Sequence, residues 1–86
     1  MARIPRVIHI LDYKIPVKLV SRTELREVAG MHKEDTRTIE GCWGDETPTI
    51  FILKDLPIKK QRSVLIHELQ HALVDIADWV AAEVPR

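Results

Sequence analysis

The distribution of apolar and polar positions divides the chain into six predicted elements. Arg6-Val7-Ile8-His9-Ile10-Leu11 is short, apolar and rich in β-branched residues, which predicts a strand. Asp12-Tyr13-Lys14 reads as a turn. Ile15-Pro16-Val17-Lys18-Leu19-Val20 alternates toward its end and predicts a second strand, with Pro16 placing its start at a sheet edge. Ser21 and Glu24 have the spacing of a capping box. Leu25, Val28 and Ala29 then form a short apolar stripe, and Gly30 is a natural stop, so a helix of about two turns is expected. Met31 to Thr38 is polar and charged, an expected exposed loop. Ile39-Glu40-Gly41-Cys42-Trp43 predicts a third strand, Gly44 to Pro48 carries turn chemistry, and Thr49-Ile50-Phe51-Ile52-Leu53 has the strongest strand signal in the chain. Residues 39 to 53 therefore predict a hairpin. Pro57 suits a helix start. From Ile58 to Val84 there is neither Gly nor Pro, and Val64, Leu69, Ala72, Ile76, Val80 and Val84 recur at helical spacing. One long helix is predicted, or two joined by a bend that the sequence does not announce.

This order predicts a single α+β domain over residues 1–86. It has a small, mostly antiparallel sheet, a short helix and a long C-terminal helix. Composition narrows the picture. Hydrophobic residues make up 45% of the 86 positions, enough for a core and against intrinsic disorder. Thirteen Lys and Arg balance thirteen Asp and Glu, which argues against nucleic-acid binding through bulk positive charge. A single cysteine, Cys42, makes no internal disulfide. The apolar runs are too short for a membrane span, and the first six residues do not form a signal peptide. A cytoplasmic protein without a membrane partner is the expectation.

The chemistry lies in the long helix. His67, Glu68 and His71 form H-E-x-x-H. Residues four apart on a helix lie about 6 Å apart along its axis and share a face. Both imidazoles can therefore reach one Zn2+ at about 2.0–2.1 Å. Glu68, beside the metal rather than under it, suits a general base that takes a proton from metal-bound water and returns it to a leaving amine. The bland alternative is a pair of surface or core histidines. Apolar residues on both sides of the motif predict that the histidines line a partly buried wall, where they need partners.

The segment His67-Glu68-Leu69-Gln70-His71-Ala72-Leu73-Val74-Asp75 resembles the active-site helix of zincin metallopeptidases, and its His-Glu-Leu-x-His-Ala-x-x-Asp pattern is similar to the thermolysin-type version. The wider layout resembles short phage and prophage proteins of the zincin-like, ImmA/IrrE type. These have a basic N-terminus with Ile and Pro, and a hairpin ending in a strand like Thr49 to Leu53. Leu56-Pro57 and the basic turn Lys59-Lys60-Gln61-Arg62 then lead into the motif. The likeness covers roughly residues 39 to 76, about half the chain, and is specific only in the motif. It implies a zinc metallopeptidase acting on a peptide or protein substrate, in a host cytoplasm or a phage particle. It also implies that Thr49 to Leu53 is the sheet edge that receives an extended substrate. A free edge offers backbone donors and acceptors to a peptide. The other reading of that strand is that it is simply paired and buried.

A catalytic zinc ordinarily takes three protein ligands and a water. The thermolysin-like group places its Glu further along than Arg86, and the H-E-x-x-H-x-x-G-x-x-H form is absent, since Val74 and Ala77 stand at its last two positions. Asp75, one turn beyond His71, is a third-ligand candidate, an acceptor for the outer ring nitrogen of His71, or an ordinary exposed carboxylate. Asp78 and Glu83 lie further along the helix. Cys42, His32, Asp45 and Glu46 are candidates from loops and strands, and a homo- or hetero-oligomer is another source of the missing ligand. Cys42 and Trp43 also read as simple packing residues, with Trp43 a candidate subsite wall. Lys59-Lys60-Gln61-Arg62 reads as a solvated face. Two functional classes follow: a minimal zinc peptidase, or a non-catalytic zincin-like binding or assembly module, for instance a phage structural protein.

Overall fold

The computed structural model describes residues 3–30, 39–44 and 47–83. The expected exposed loop at 31–38, His32, Asp45, Glu46 and Val84 lie outside these. The elements run β1 (Val7–Ile10), β2 (Tyr13–Val20), α1 (Arg22–Ala29), β3 (Gly41–Gly44), β4 (Thr49–Leu53) and α2 (Ile58–Glu83). The class is α+β, with a mixed four-stranded sheet in the order β1-β2-β4-β3. β1 and β2 form one antiparallel hairpin, and β3 and β4 form another. A parallel ladder between β2 and β4 joins them, with Val17 opposite Ile50 and Val20 opposite Leu53.

The first hairpin turns earlier than its composition suggests. β2 begins at Tyr13, so the turn is Leu11-Asp12, and Leu11 takes φ 54°. Two-residue hairpin loops demand positive φ, which normally selects Gly or Asn. A leucine there gives no sequence signal and stores about 1–2 kcal/mol of strain. Pro16 falls at the last position before β2 acquires its second neighbour, because the ladder with β4 begins at Val17. Its missing N–H therefore breaks no bond in that ladder.

Alternation along the strands gives the sheet two apolar faces. Val17, Ile50 and Ile52 face α2 and pack with Val64, Leu65 and Ile76. Val20 and Leu53 face the other way and pack with Leu25 of α1. The two helices thus cover opposite faces. α1 has its capping box: Ser21 accepts from the Glu24 amide, and Glu24 accepts in turn from the Ser21 amide. Gly30 closes the helix at φ 62°. α2 is one helix of 26 residues, not two. Its start is held by Gln61, which is buried and whose side-chain amide donates to the carbonyls of Leu56 and Lys54 at 2.9 and 3.3 Å. Gln61 is therefore no part of a solvated basic face. Its neighbours Lys59, Lys60 and Arg62 are exposed.

The strand Thr49–Leu53 is not a sheet edge. It lies between β2 and β3, with Ile50 and Ile52 fully buried, as an apolar run flanked on both sides requires. The strand beside α2 with an outer edge is β3. Among the described residues no helix is long and apolar enough to cross a membrane.

Candidate functional site

The site is assembled where β3 crosses α2. Gly41 and Trp43 share the sheet face of Ile52 and Ile50, their register partners, and so meet the helix. Gly41 makes the close approach possible. A Cβ at this position would stand 2.5 Å from Cγ1 of Val64 and 3.1 Å from Cγ of Glu68. A glycine inside a short strand is the sequence mark of such an approach.

Glu68 lies under this crossing and is only 8% exposed. No donor among the described residues bonds its carboxylate. Burial pushes its pKa above the ordinary 4.5, and the neighbouring His67 and His71 pull in the opposite direction. The histidines themselves are exposed, not set in a buried wall. The apolar residues bracketing the motif divide between two sides of the helix: Val64, Leu65 and Ala72 are buried, whereas Ile66, Leu73 and Val74 face solvent. The His67 and His71 rings have centroids 5.0 Å apart and planes at 81°. That separation suits two imidazoles converging on one metal ion.

Two grooves open on either side of Glu68. One, of about 380 Å³, is lined by Ile39, Gly41, Ser63, Val64, His67 and Glu68. Its rim carries an ion pair between Lys60 and Glu40 at 3.3 Å. The other is lined by Gly41, Cys42, Trp43, Glu68, His71 and Asp75. Both run along β3, and among the described residues no strand pairs with the outer edge of β3.

Asp75 has a partner other than the one its spacing suggests. The Trp43 indole N–H donates to its Oδ2 at 2.7 Å, and no bond to His71 is formed. Trp43 in turn packs on Trp79 at 6.2 Å, and Trp79 on Tyr13 at 5.5 Å, whose hydroxyl donates to Glu83 at 3.2 Å. The aromatic row fixes the C-terminal half of α2 against the sheet. Glu83 is therefore engaged at the far end of an unbroken helix. Cys42 is half-buried on the α1 side of β3, and burial, with Glu68 second, raises its thiol pKa.

The residues present fit a metal in part. His67 and His71 place two imidazoles 5.0 Å apart on α2, with an acid beside them. Among the described residues, however, no three His, Cys, Asp or Glu side chains are grouped to hold an ion. Comparison with protein-family models, with curated proteins and with solved structures yields no match to this chain.

Proposed function

We propose that this chain is a zinc-dependent hydrolase of peptide bonds. The observation that carries the reading is the placement of Glu68. Its side chain is largely buried while its carboxylate opens on grooves, flanked by two exposed imidazoles and beside an edge of β3 that no strand among the described residues pairs with. An acid whose pKa is raised by burial and which opens into a groove beside two imidazoles is a candidate general base.

In this reading His67 and His71 hold the metal, and the third donor comes from outside the described residues or from a partner chain. Bound zinc would supply an acidified water and polarise the scissile carbonyl. The chain's own part is to position and to move a proton. β3 presents its outer backbone to an extended peptide, in place of the strand that the family likeness pointed to. Desolvation of Glu68 brings its basicity closer to neutrality, so it accepts a proton and can return it to the leaving amine. Trp43 keeps Asp75 turned to the indole, which leaves the His71 side of the groove open. A cytoplasmic or phage-particle setting belongs to the same proposal.

A non-catalytic zincin-like module is the second reading. It is favoured by the donor count, two histidines and no grouped third ligand among the described residues. Elemental mass spectrometry of the purified protein, with peptide-cleavage assays, separates the two. The enzyme reading expects about one zinc per chain, lost in His71→Ala and kept in Glu68→Gln, with cleavage reduced by about a hundredfold or more in Glu68→Gln. Zinc bound without any cleavage favours the module. No zinc after supplementation sinks the metal assignment.

A further inference from the structure

A cavity of about 480 Å³ opens between the N-terminal segment, β2 and the first turn of α2. It shares no lining residue with the grooves beside Glu68. Ile4 and Val17 bring the core to its inner surface. Leu19 and Ile58 also line it, and they remain 47% and 40% exposed. The segment that closes one side is held in place. Ile4 packs in the core, Pro5 restricts the backbone, and the Arg6 carbonyl accepts from the Val17 amide at 2.7 Å. A preformed, mostly aliphatic concavity of this size suits a small molecule.

The polar groups around it decide the class of that molecule. Three lining side chains are polar: Arg3, Arg6 and Gln61. Both amide hydrogens of Gln61 are committed, through Nε2, to the carbonyls of Leu56 and Lys54. The side-chain donors left for an occupant are the two guanidinium groups. Neither has an ion-pair partner among the described residues, and no acidic side chain lines the cavity. Asp55, the acid nearest along the chain to the start of α2, is not part of the lining. The first turn of α2, which forms one wall, has no acidic residue, so the positive end of the helix adds to the same field. The site therefore offers donors and positive charge at its rim and aliphatic surface within. A guanidinium matches a carboxylate with two parallel hydrogen bonds. The lining holds no aromatic ring on which a planar ligand would stack.

We propose that this cavity binds a small aliphatic carboxylate. Its chain lies against Val17, Leu19 and Ile58, and its head group lies between Arg3 and Arg6. The proposal is independent of the zinc reading.

Titration of the full chain with octanoate tests it, read by calorimetry and by amide shifts in proton–nitrogen correlation spectra. The protein is first treated with EDTA, so that no metal is present to capture the carboxylate. About one octanoate per chain is expected, with Kd below about 1 mM, and with shifts at Arg6, Leu19, Ile58 and Gln61. Acetate has the charge without the chain, and octanol the chain without the charge. Each is expected to bind about tenfold or more weakly than octanoate. Arg3→Gln with Arg6→Gln, both at exposed positions, is expected to weaken octanoate by about tenfold or more and to leave octanol unchanged. Ile58→Asp, an acid suited to the start of a helix, is expected to weaken octanoate as well. Absence of saturable binding up to about 10 mM overturns the proposal. So does octanoate binding that is indifferent to the loss of both arginines, or octanol binding as tight as octanoate. Shifts centred on His67 and His71 overturn it too and move the carboxylate to the other site. Octyl phosphate bound about tenfold more tightly than octanoate would overturn the carboxylate assignment in favour of a phosphate head group.

Discussion

Cys42 shows how strongly position governs a side chain in this protein. Its thiol is half-buried on β3, and burial first, then the charge of Glu68, raises its pKa above the ordinary 9.0. A raised thiol pKa means less thiolate at any pH below it, and the thiolate is the reactive form. Iodoacetamide is therefore expected to alkylate Cys42 several-fold more slowly in the folded protein than in the urea-unfolded chain at pH 8. The ratio should narrow in Glu68→Gln, which removes the second cause. Linkage has the same sign: the folded state holds this proton more tightly than the unfolded chain, so stability falls as pH rises past 9.0. Equal rates in folded and unfolded protein would place the thiol in open water. At this scale the sequence is legible where a residue's neighbours are local, as in the Ser21–Glu24 capping box. It is opaque where the partner is distant. The Trp43–Asp75 bond joins residues on different elements, and no spacing rule along one helix reveals it.

At the scale of elements, the crossing of β3 over α2 depends on an absent side chain. Gly41→Ala would drive a methyl group into Val64 and against Glu68. The expected cost is about 1–3 kcal/mol from overpacking, read as a lower urea midpoint with an unchanged slope. Peptide cleavage, where present, is expected to fall with it, because β3 and Glu68 move apart. A neutral Gly41→Ala would mean that the crossing is looser than drawn. Hydrophobic periodicity revealed the four strands, the second hairpin, α1 and α2, because these are local patterns. It could not reveal strand order. That Thr49–Leu53 is central follows from β2 pairing on its far side, and an apolar run alone fits either a paired or an edge role until its neighbours are known. The division of the motif's apolar flanks between core and solvent was hidden for the same reason.

For the whole molecule, the core and the candidate metal site are separate. Ile15, Ile50, Ile52 and Ile76 are fully or almost fully buried without any contribution from His67 or His71. Domains that fold around zinc lose their structure when it is removed. Here chelation with EDTA is expected to leave the far-ultraviolet circular dichroism unchanged and to lower the thermal midpoint by no more than a few degrees. Loss of helix on chelation would show that the ion holds the fold together. The class of the fold was legible from the order of its elements, whereas the identity of a third metal donor was not, since donors converge in space rather than in sequence.

Among the described residues, the parallel ladder between β2 and β4 is the only strand pairing that joins the two hairpins. Each hairpin closes a short loop and can form quickly, as can the turns of α2. The ladder must close a much longer one, spanning α1 and all of β3, before it gains any contact. Assembly of this small domain is therefore a docking of two locally formed halves, and the folding barrier lies in bringing Val17–Val20 alongside Ile50–Leu53.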